Sequence, residues 1–153
     1  MEQIEGSYLD ECFSSELKES PEGRNWQDMP DVEAAQSLGS GGASMEQVRL
    51  GHNLISKYSD LDMPYYWLSN HYLLKGDLDT ARLLLDQGLS LCKRKRRLCS
   101  EYGEVEFEAG NILEAVKWWV REAVLQIKSA EFDSYSCFMY LGYIAERTNF
   151  ATE

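Results

Sequence analysis

The chain repeats part of its own sequence at a constant offset. The stretch KGDLDTARLLLDQGL, which begins at Lys75, aligns with AGNILEAVKWWVREAV, which begins at Ala109. A repeat of this length is typical of arrays of helical hairpins, in which each unit packs against its neighbours along the chain. The pairs of residues that are 34 apart are Leu68 with Tyr102, Ser69 with Gly103, Gly76 with Gly110, Ala81 with Ala115, and Leu85 with Trp119.

The two matched glycines mark the turn of a hairpin. Gly76 and Gly110 each follow a helical pattern, at a position where helices often end in a left-handed residue. The next residue, Asp77 or Asn111, can accept hydrogen bonds from the free N–H groups that open the following helix. Each unit is therefore expected to consist of two antiparallel helices joined by a tight turn.

Small and large residues are matched in each second helix. Ala81 and Ala115 are small because we expect the two helices of a hairpin to approach most closely there. Four residues later, Leu85 and Trp119 fill the wider space of the core. Trp118 points about 100° away from its neighbour, so it either packs on the adjacent hairpin or is exposed as a contact anchor.

The chain after Ser44 has the spacing of apolar residues that one face of a helix requires, with repeats every three and four positions. Strand signals are almost absent from this part. The pattern predicts an all-α fold with helices at about 45–58, 63–75, 78–92, 98–109, 112–129 and 133–148.

This pattern resembles the tetratricopeptide repeat (TPR) family. The family's Leu-Gly pair followed by Tyr is matched in part by Leu68 with Tyr72 and by Tyr102 with Gly103. The chain departs from the family pattern at Ser69, at Glu106 beside Phe107, and at Gly88. The resemblance implies tandem antiparallel helical hairpins in a right-handed superhelix over 45–153, with units at about 62–95 and 96–133 and flanking helices at about 45–58 and 133–148.

A third first helix is indicated by CFMYLGYIAERTN, in which Leu141 and Gly142 repeat the pair Tyr102 and Gly103. Its offset from that pair is 39 instead of 34, so the preceding connection, SAEFD, is longer. The two flanking helices are expected to cap the stack.

Residues 1–44 differ from the rest in composition. They hold ten acidic residues against Lys18 and Arg24, a net charge of -8 out of -11 for the whole chain, and they end in a Gly- and Ser-rich stretch. This composition predicts an acidic flexible leader. The negative charge disfavours general binding to nucleic acid or to an anionic membrane.

Targeting signals are missing from the sequence. No run approaches the roughly 18 apolar residues of a membrane-spanning helix, and the N-terminus lacks a secretory pattern. The chain is therefore expected to stay inside the cell, in the cytoplasm.

Cys12, Cys92, Cys99 and Cys137 form no CxxC pair. Reduced thiols are expected rather than a zinc site, with a Cys92–Cys99 disulfide as the alternative.

The resemblance also implies a binding surface, because first helices line the concave side of such arrays. The family's groove positions correspond to Tyr66, Asn70 and Leu73 in the first unit, Arg97, Ser100, Glu104 and Glu108 in the second, and Met139, Tyr143 and Arg147 in the third. One subgroup holds chaperone C-termini with Lys, Asn and Arg residues, of which only Asn70 is matched here. Aromatic residues beside Glu104 and Glu108 suit a protein or peptide partner with apolar anchors and basic residues. Binding on the convex face, or self-association through a hairpin edge, is the alternative.

A basic run lies between the two units and consists of Lys93, Arg94, Lys95, Arg96 and Arg97. It could address the chain to the nucleus, bind RNA or another polyanion, or hold the acidic leader over the binding surface. The aromatic residues expected for single-strand binding are missing. The plainer interpretation is a solvated loop whose cations complement the carbonyl end of the preceding helix.

Motifs for catalysis are not evident. The sequence has no Gly-rich phosphate loop, no nucleophile elbow and no His-containing zinc motif, and His52 and His71 are expected to be ordinary helix residues. The predicted function is a non-enzymatic adaptor or scaffold that needs no cofactor and no metal ion.

Overall fold

The computed structural model describes residues 44–129 and 136–148. The regular secondary structure in these ranges is helical throughout, so the predicted all-α class is confirmed. The expected leader, apart from Ser44, and the expected start of the last helix at 133 lie outside the described residues. The helices are α1 (Met45–Lys57), α2 (Asp62–Leu74), α3 (Leu78–Leu91), α4 (Arg96–Glu108), α5 (Ile112–Ser129) and α6 (Ser136–Thr148). None of these combines the length and apolar character that crossing a membrane requires.

The first helix begins at a capping box. The backbone N–H of Gln47 donates to Ser44 Oγ at 3.3 Å, and the backbone N–H of Ser44 donates to Gln47 Oε1 at 2.8 Å. These bonds satisfy backbone donors that a helix start leaves open. Ser44, which the composition assigned to the leader, therefore belongs to the N-terminus of α1.

The turns at the two matched glycines have the same geometry. Gly76 has a φ of 80° and Gly110 a φ of 82°, so the predicted left-handed conformation is confirmed at both. Equivalent residues of the two turns also make the same backbone hydrogen bonds. These run from Gly76 N–H to the Leu73 carbonyl (3.0 Å) and from Asp77 N–H to the Tyr72 carbonyl (2.9 Å), and from Gly110 N–H to the Phe107 carbonyl (3.0 Å) and from Asn111 N–H to the Glu106 carbonyl (2.8 Å).

The residues after the two glycines differ in what their side chains bind. Asp77 accepts a hydrogen bond from the backbone N–H of Thr80 at 3.2 Å, as predicted for a helix N-cap. The side-chain amide of Asn111 instead donates to Glu106 Oε2 at 2.7 Å. The cause is Glu106 itself, which places a carboxylate beside the second turn where the first hairpin has Tyr72.

Each helix packs against the next one along the chain, and α2 also packs against α4. The approach of α4 to α5 is especially close, because a Cβ atom at Gly103 would overlap the indole ring of Trp119. The Trp119 indole N–H donates to the Ser100 carbonyl at 3.3 Å. In the first hairpin, the larger Ser69 takes the position of Gly103, and the smaller Leu85 takes the position of Trp119. The small and large positions predicted in the second helices are confirmed as fully buried at Ala81, Leu85, Ala115 and Trp119.

Trp118 packs within the protein. Its ring stacks on Tyr102, with the ring centroids 4.2 Å apart, and the guanidinium of Arg121 lies 4.4 Å from its ring centroid. Trp118 also lies against the core cluster of the first hairpin, so of the two alternatives that the sequence left open, packing on the adjacent hairpin is confirmed over exposure as a contact anchor.

The last helix packs on α5 of the second hairpin through core residues that match those of α4. Leu98 and Val105 of α4 belong to the core of the first hairpin, and the residues 39 positions later, Cys137 and Ile144, are buried in the core of the second. Gly142, which matches Gly103 at the same offset, has open space around an added Cβ atom. The reason is that no described helix covers this face of α6.

We expect Gly103→Ala to lower the free energy of unfolding by about 1–3 kcal/mol, because the added methyl group overpacks the contact with Trp119. Gly142→Ala is the matched control, since it adds the same group to an open helical position and should raise stability by up to about 1 kcal/mol. Urea unfolding followed by circular dichroism measures both. Effects of the same sign and size would contradict the close packing of α4 on α5.

Candidate functional site

Two adjoining clefts lie between the first helices α2 and α4 and the last helix α6. Their volumes are about 370 Å³ and about 420 Å³. Phe107 and Tyr140 line both clefts, so the two clefts adjoin at these rings. The first cleft is lined by Asn70, Leu73, Leu74, Glu104, Phe107, Glu108, Trp119 and Tyr140, and the second by Phe107, Met139, Tyr140 and Tyr143.

The first cleft is built from equivalent positions of two helices. Three residues of α2 and the three residues 34 positions later in α4 face each other across it, because the two helices pack side by side. Asn70 and Glu104 lie at the same level of the two helices. Glu108 lies one helical turn after Glu104, so it shares a face with Glu104. The equivalent pairs are Asn70 with Glu104, Leu73 with Phe107, and Leu74 with Glu108.

Six of the ten predicted groove residues line these clefts. The first cleft holds the α2 and α4 members of this set, and the second holds the α6 members. They are Asn70, Leu73, Glu104 and Glu108 in the first cleft and Met139 and Tyr143 in the second. Met139 is 73% exposed, so it remains open to a partner in the chain as described.

The other four predicted groove residues are not part of the lining of these two clefts. Arg97 Nη1 donates to the buried Asp62 Oδ2 at 3.2 Å, which joins the starts of α4 and α2. Burial, followed by the charges of Glu101 and Glu104, raises the pKa of Tyr66 to about 12. The remaining two are Ser100, whose carbonyl accepts from Trp119, and Arg147, whose guanidinium lies 4.5 Å from the Tyr143 ring centroid.

Two aromatic residues that the sequence did not single out form the wall between the clefts. The ring of Tyr140 stacks on Trp119 with centroids 4.5 Å apart, and its hydroxyl donates to Glu104 Oε1 at 3.2 Å. Phe107 lies 5.9 Å from Trp119 between ring centroids. Phe107 had a signal in the sequence, because this aromatic residue stands beside Glu106, one position after the place where the TPR pattern has its aromatic residue. The sequence held no comparable signal for Tyr140.

A group of carboxyl groups lies at and beneath the first cleft. Burial raises the pKa of Glu104, with a further increase from nearby Glu108, although the hydrogen bond from Tyr140 opposes it. Glu101 lies deeper, and burial followed by the charge of Glu104 raises its pKa to about 8. Burial also raises the pKa of Glu122 to about 7. The region therefore presents Glu104 and Glu108 at the cleft surface and, below it, Glu101 and Glu122, whose raised pKa values favour the protonated form more than in a free glutamate.

Glu106 ties the second hairpin to the first. The Nε–H of Arg82 in α3 donates to Glu106 Oε1 at 2.7 Å. Burial alone would raise the pKa of Glu106, but the hydrogen bonds from Arg82 and Asn111 outweigh burial and hold the pKa below its usual range. Glu106 thus contributes an ion pair between α3 and α4.

The predicted basic run is not one solvated loop. α4 begins at Arg96, two residues before its expected start, and Arg96 is only 4% exposed. Arg97 is engaged with Asp62, as described above. The interpretation as a solvated loop is therefore wrong for these two residues, because Arg96 is buried near Glu122 and Arg97 is paired with Asp62. Of the five, only Lys93 is largely exposed to solvent.

The described cysteines and histidines lie in surroundings that suit a structural role. Cys92, Cys99 and Cys137 are buried free thiols, so the alternative of a Cys92–Cys99 disulfide is wrong; Cys12 lies outside the described residues. His52 Nε2 lies 3.0 Å from the Tyr72 hydroxyl, within hydrogen-bond distance. Across residues 44–129 and 136–148, no group of three or more His, Cys, Asp or Glu residues is arranged to hold a metal ion.

Comparison of the chain with protein-family models, with curated proteins and with solved structures finds no match in any of the three. What the chain does is therefore inferred from its own residues.

We expect the free energy of unfolding to fall, on the order of 3 kcal/mol, as pH rises from about 5 to about 8. The folded chain keeps protons on Glu101 and Glu122 that the unfolded chain, with a Glu pKa of 4.5, has already lost. The folded state therefore binds more protons in this interval, and raising the pH disfavours it. The lowered pKa of His71 has the opposite effect on the free energy of unfolding. Comparing glutamate variants with the unmodified chain therefore separates the contribution of the glutamates.

The measurement is urea unfolding across this pH range. Glu101→Gln combined with Glu122→Gln should flatten the profile, whereas Glu146→Gln, at an exposed position of α6, should leave it unchanged. A double variant with the profile of the unmodified chain would show that these carboxyl groups do not hold their protons in the folded state.

Proposed function

We propose that the chain is a non-enzymatic TPR-like adaptor that binds a partner protein through the face formed by α2, α4 and α6. The TPR-like arrangement is supported by two hairpin turns, at Gly76 and Gly110, that have the same φ and the same hydrogen bonds. It is also supported by the side-by-side packing of α2 and α4, the two first helices. A right-handed superhelix of such hairpins would make this face its concave side.

The observation that carries the proposal is the make-up of the two clefts. Glu104 and Glu108 place carboxyl groups in a cleft whose remaining walls are largely apolar, and the adjoining cleft is lined by Phe107, Met139, Tyr140 and Tyr143. Exposed aromatic and Met side chains are favoured at protein interfaces. Carboxylates next to them select a partner that carries basic residues as well as apolar anchors.

The same charges argue against a polyanion as the principal ligand. A phosphate group that approached this face would meet Glu104 and Glu108, whose negative charges repel it. The basic run offers no alternative surface of five cations, because Arg96 is buried and Arg97 is paired with Asp62.

The buried cysteines, which form no disulfide, fit a reducing compartment such as the cytoplasm, where we propose that the adaptor works.

A peptide-display selection on the full chain tests this function. We expect the selected peptides to be rich in Arg or Lys together with large apolar residues, and to lose at least about tenfold in affinity for a Glu104→Lys/Glu108→Lys variant. Glu46→Lys/Glu114→Lys, which changes the net charge equally at exposed sites on α1 and α5, is the control. Peptides that bind both variants as well as the unmodified chain would reject this face as the binding site.

A further inference from the structure

Basic side chains gather at the end of the molecule where α1 stops and where α3 leads into α4. Lys57 is the last residue of α1, and Lys93, Arg94 and Lys95 belong to the connection from α3 to α4. Lys57 and Lys93 are exposed, and the other two are half-buried. These four residues are called the basic end. Because the whole chain has a net charge of -11, the basic end is a local reversal of sign.

The two connections that carry these cations lie against each other. The thiol of Cys92, which follows α3, donates to the carbonyl of Ser59 in the turn after α1 at 3.9 Å. Burial, followed by the charges of Asp62 and Asp60, raises the pKa of Cys92 to about 12, and the charge of Lys95 opposes this increase. Lys95 and Asp60 therefore both lie near this thiol, and Asp60 is a half-buried carboxylate beside the cations.

The basic end and the first cleft lie at opposite ends of α2 and α4. Asp62 and Arg97, which pair beside the basic end, belong to the first turns of these helices. The cleft is lined by later turns, which begin at Asn70 and Glu104. Asp62 and Asn70 are eight residues apart, which is about 12 Å along a helix. The two surfaces can therefore hold different ligands at the same time.

The residues before α1 carry the charge opposite to that of the basic end. Residues 1–43 hold ten acidic residues against two basic ones, a net charge of -8. The acidic residue nearest to α1 is Glu33, which lies eleven positions before Ser44. The ten residues between these two are uncharged and read AAQSLGSGGA. A neutral spacer therefore separates the acidic residues from α1.

The length of this spacer matches the length of α1. The 13 residues of α1 span about 20 Å, which is the distance from its start to the basic end. A Gly- and Ser-rich linker of eleven residues has a root-mean-square length of about 17–20 Å and extends to at most about 36–40 Å. A tethered ligand reaches its highest effective concentration, in the millimolar range, when the tether length matches the span. Contacts that are weak between separate molecules therefore suffice here.

We propose that the acidic segment 1–33 of this chain docks on the basic end and so keeps polyanions away from its cations. The neutral spacer runs back along α1 and brings the carboxylates to Lys57 and to the connection between α3 and α4. This inference goes beyond the proposed function, because the docked segment leaves both clefts open to a partner protein.

Paramagnetic relaxation in nuclear magnetic resonance spectra of the full chain tests the docking. A nitroxide is attached at Cys12 or, in a Cys12→Ser/Gln27→Cys variant, at residue 27, since Cys92, Cys99 and Cys137 are buried. At about 0.01 M salt, where the Debye length is about 30 Å, at least one label should reduce the amide signals of the basic end by about half or more. At about 1 M salt, where the Debye length is about 3 Å, the signals should recover. Undiminished signals at low salt with both labels would overturn the inference.

Charge removal at the basic end should abolish this loss of signal. Lys93→Gln/Lys95→Gln removes two cations from the proposed contact. Arg49→Gln/Lys75→Gln is the matched control, because it changes the net charge equally at two exposed positions outside the basic end, and it should keep the effect of the label. A loss of signal that persists in the first variant, or that disappears in both, would contradict the docking. Circular dichroism checks that both variants fold, and the salt series on the unmodified chain does not depend on them.

Two further measurements distinguish the other possible occupants of the basic end. In a mixture of nitroxide-labelled chain with isotope-labelled chain that lacks the nitroxide, the signals of the basic end should stay undiminished. Their loss would show that the acidic segment docks on a second copy, which rejects the contact within one chain. A fluorescein-labelled oligothymidylate should bind the unmodified chain no more tightly than it binds the Lys93→Gln/Lys95→Gln variant. An affinity at least about fivefold higher for the unmodified chain would show that nucleic acid occupies the basic end, which rejects the acidic segment as its ligand.

Discussion

The left-handed turn at Gly76, repeated at Gly110, is the constraint on which the rest of the fold depends. Because both glycines have nearly the same φ and their neighbours make the same hydrogen bonds, two hairpins of matched shape follow each other along the chain. α2 and α4 then lie side by side with equivalent residues at the same level. Asn70 comes to face Glu104 in this way, so a backbone conformation at two turns determines the composition of a cleft some distance from either glycine.

Aromatic packing connects the core of the second hairpin to the clefts. Trp119 fits against Gly103, where a Cβ atom would collide with its ring, and its opposite neighbour is the ring of Tyr140. Tyr140 in turn donates its hydroxyl to Glu104. The wall between the two clefts is therefore held by the hairpin core, and a wall built on buried side chains keeps its position better than one built on exposed side chains alone.

Much of the fold could be predicted from the sequence, because its signals are local. The internal repeat located the turns, and the size pattern of Ala81, Leu85, Ala115 and Trp119 identified the contact between helices. The start of α4 was missed because Arg96 looks like a surface residue unless its buried position near Glu122 is known. The clefts were predicted less completely. Asn70, Glu104 and Met139 could be placed through the resemblance to the TPR groove positions, but the role of Tyr140 depends on a contact with Trp119 across two elements that no spacing along the chain encodes.

Mapping a display-selected peptide onto the chain tests the central claim, that the first-helix face is the binding site, most directly. In a titration followed by amide chemical shifts in nuclear magnetic resonance spectra, the account predicts that the largest changes fall on α2, α4 and α6 around Asn70, Glu104, Phe107 and Met139. The outer face of α3, around Leu83, should change little. Changes concentrated on α1 or α3, with none at Glu104, would contradict the account.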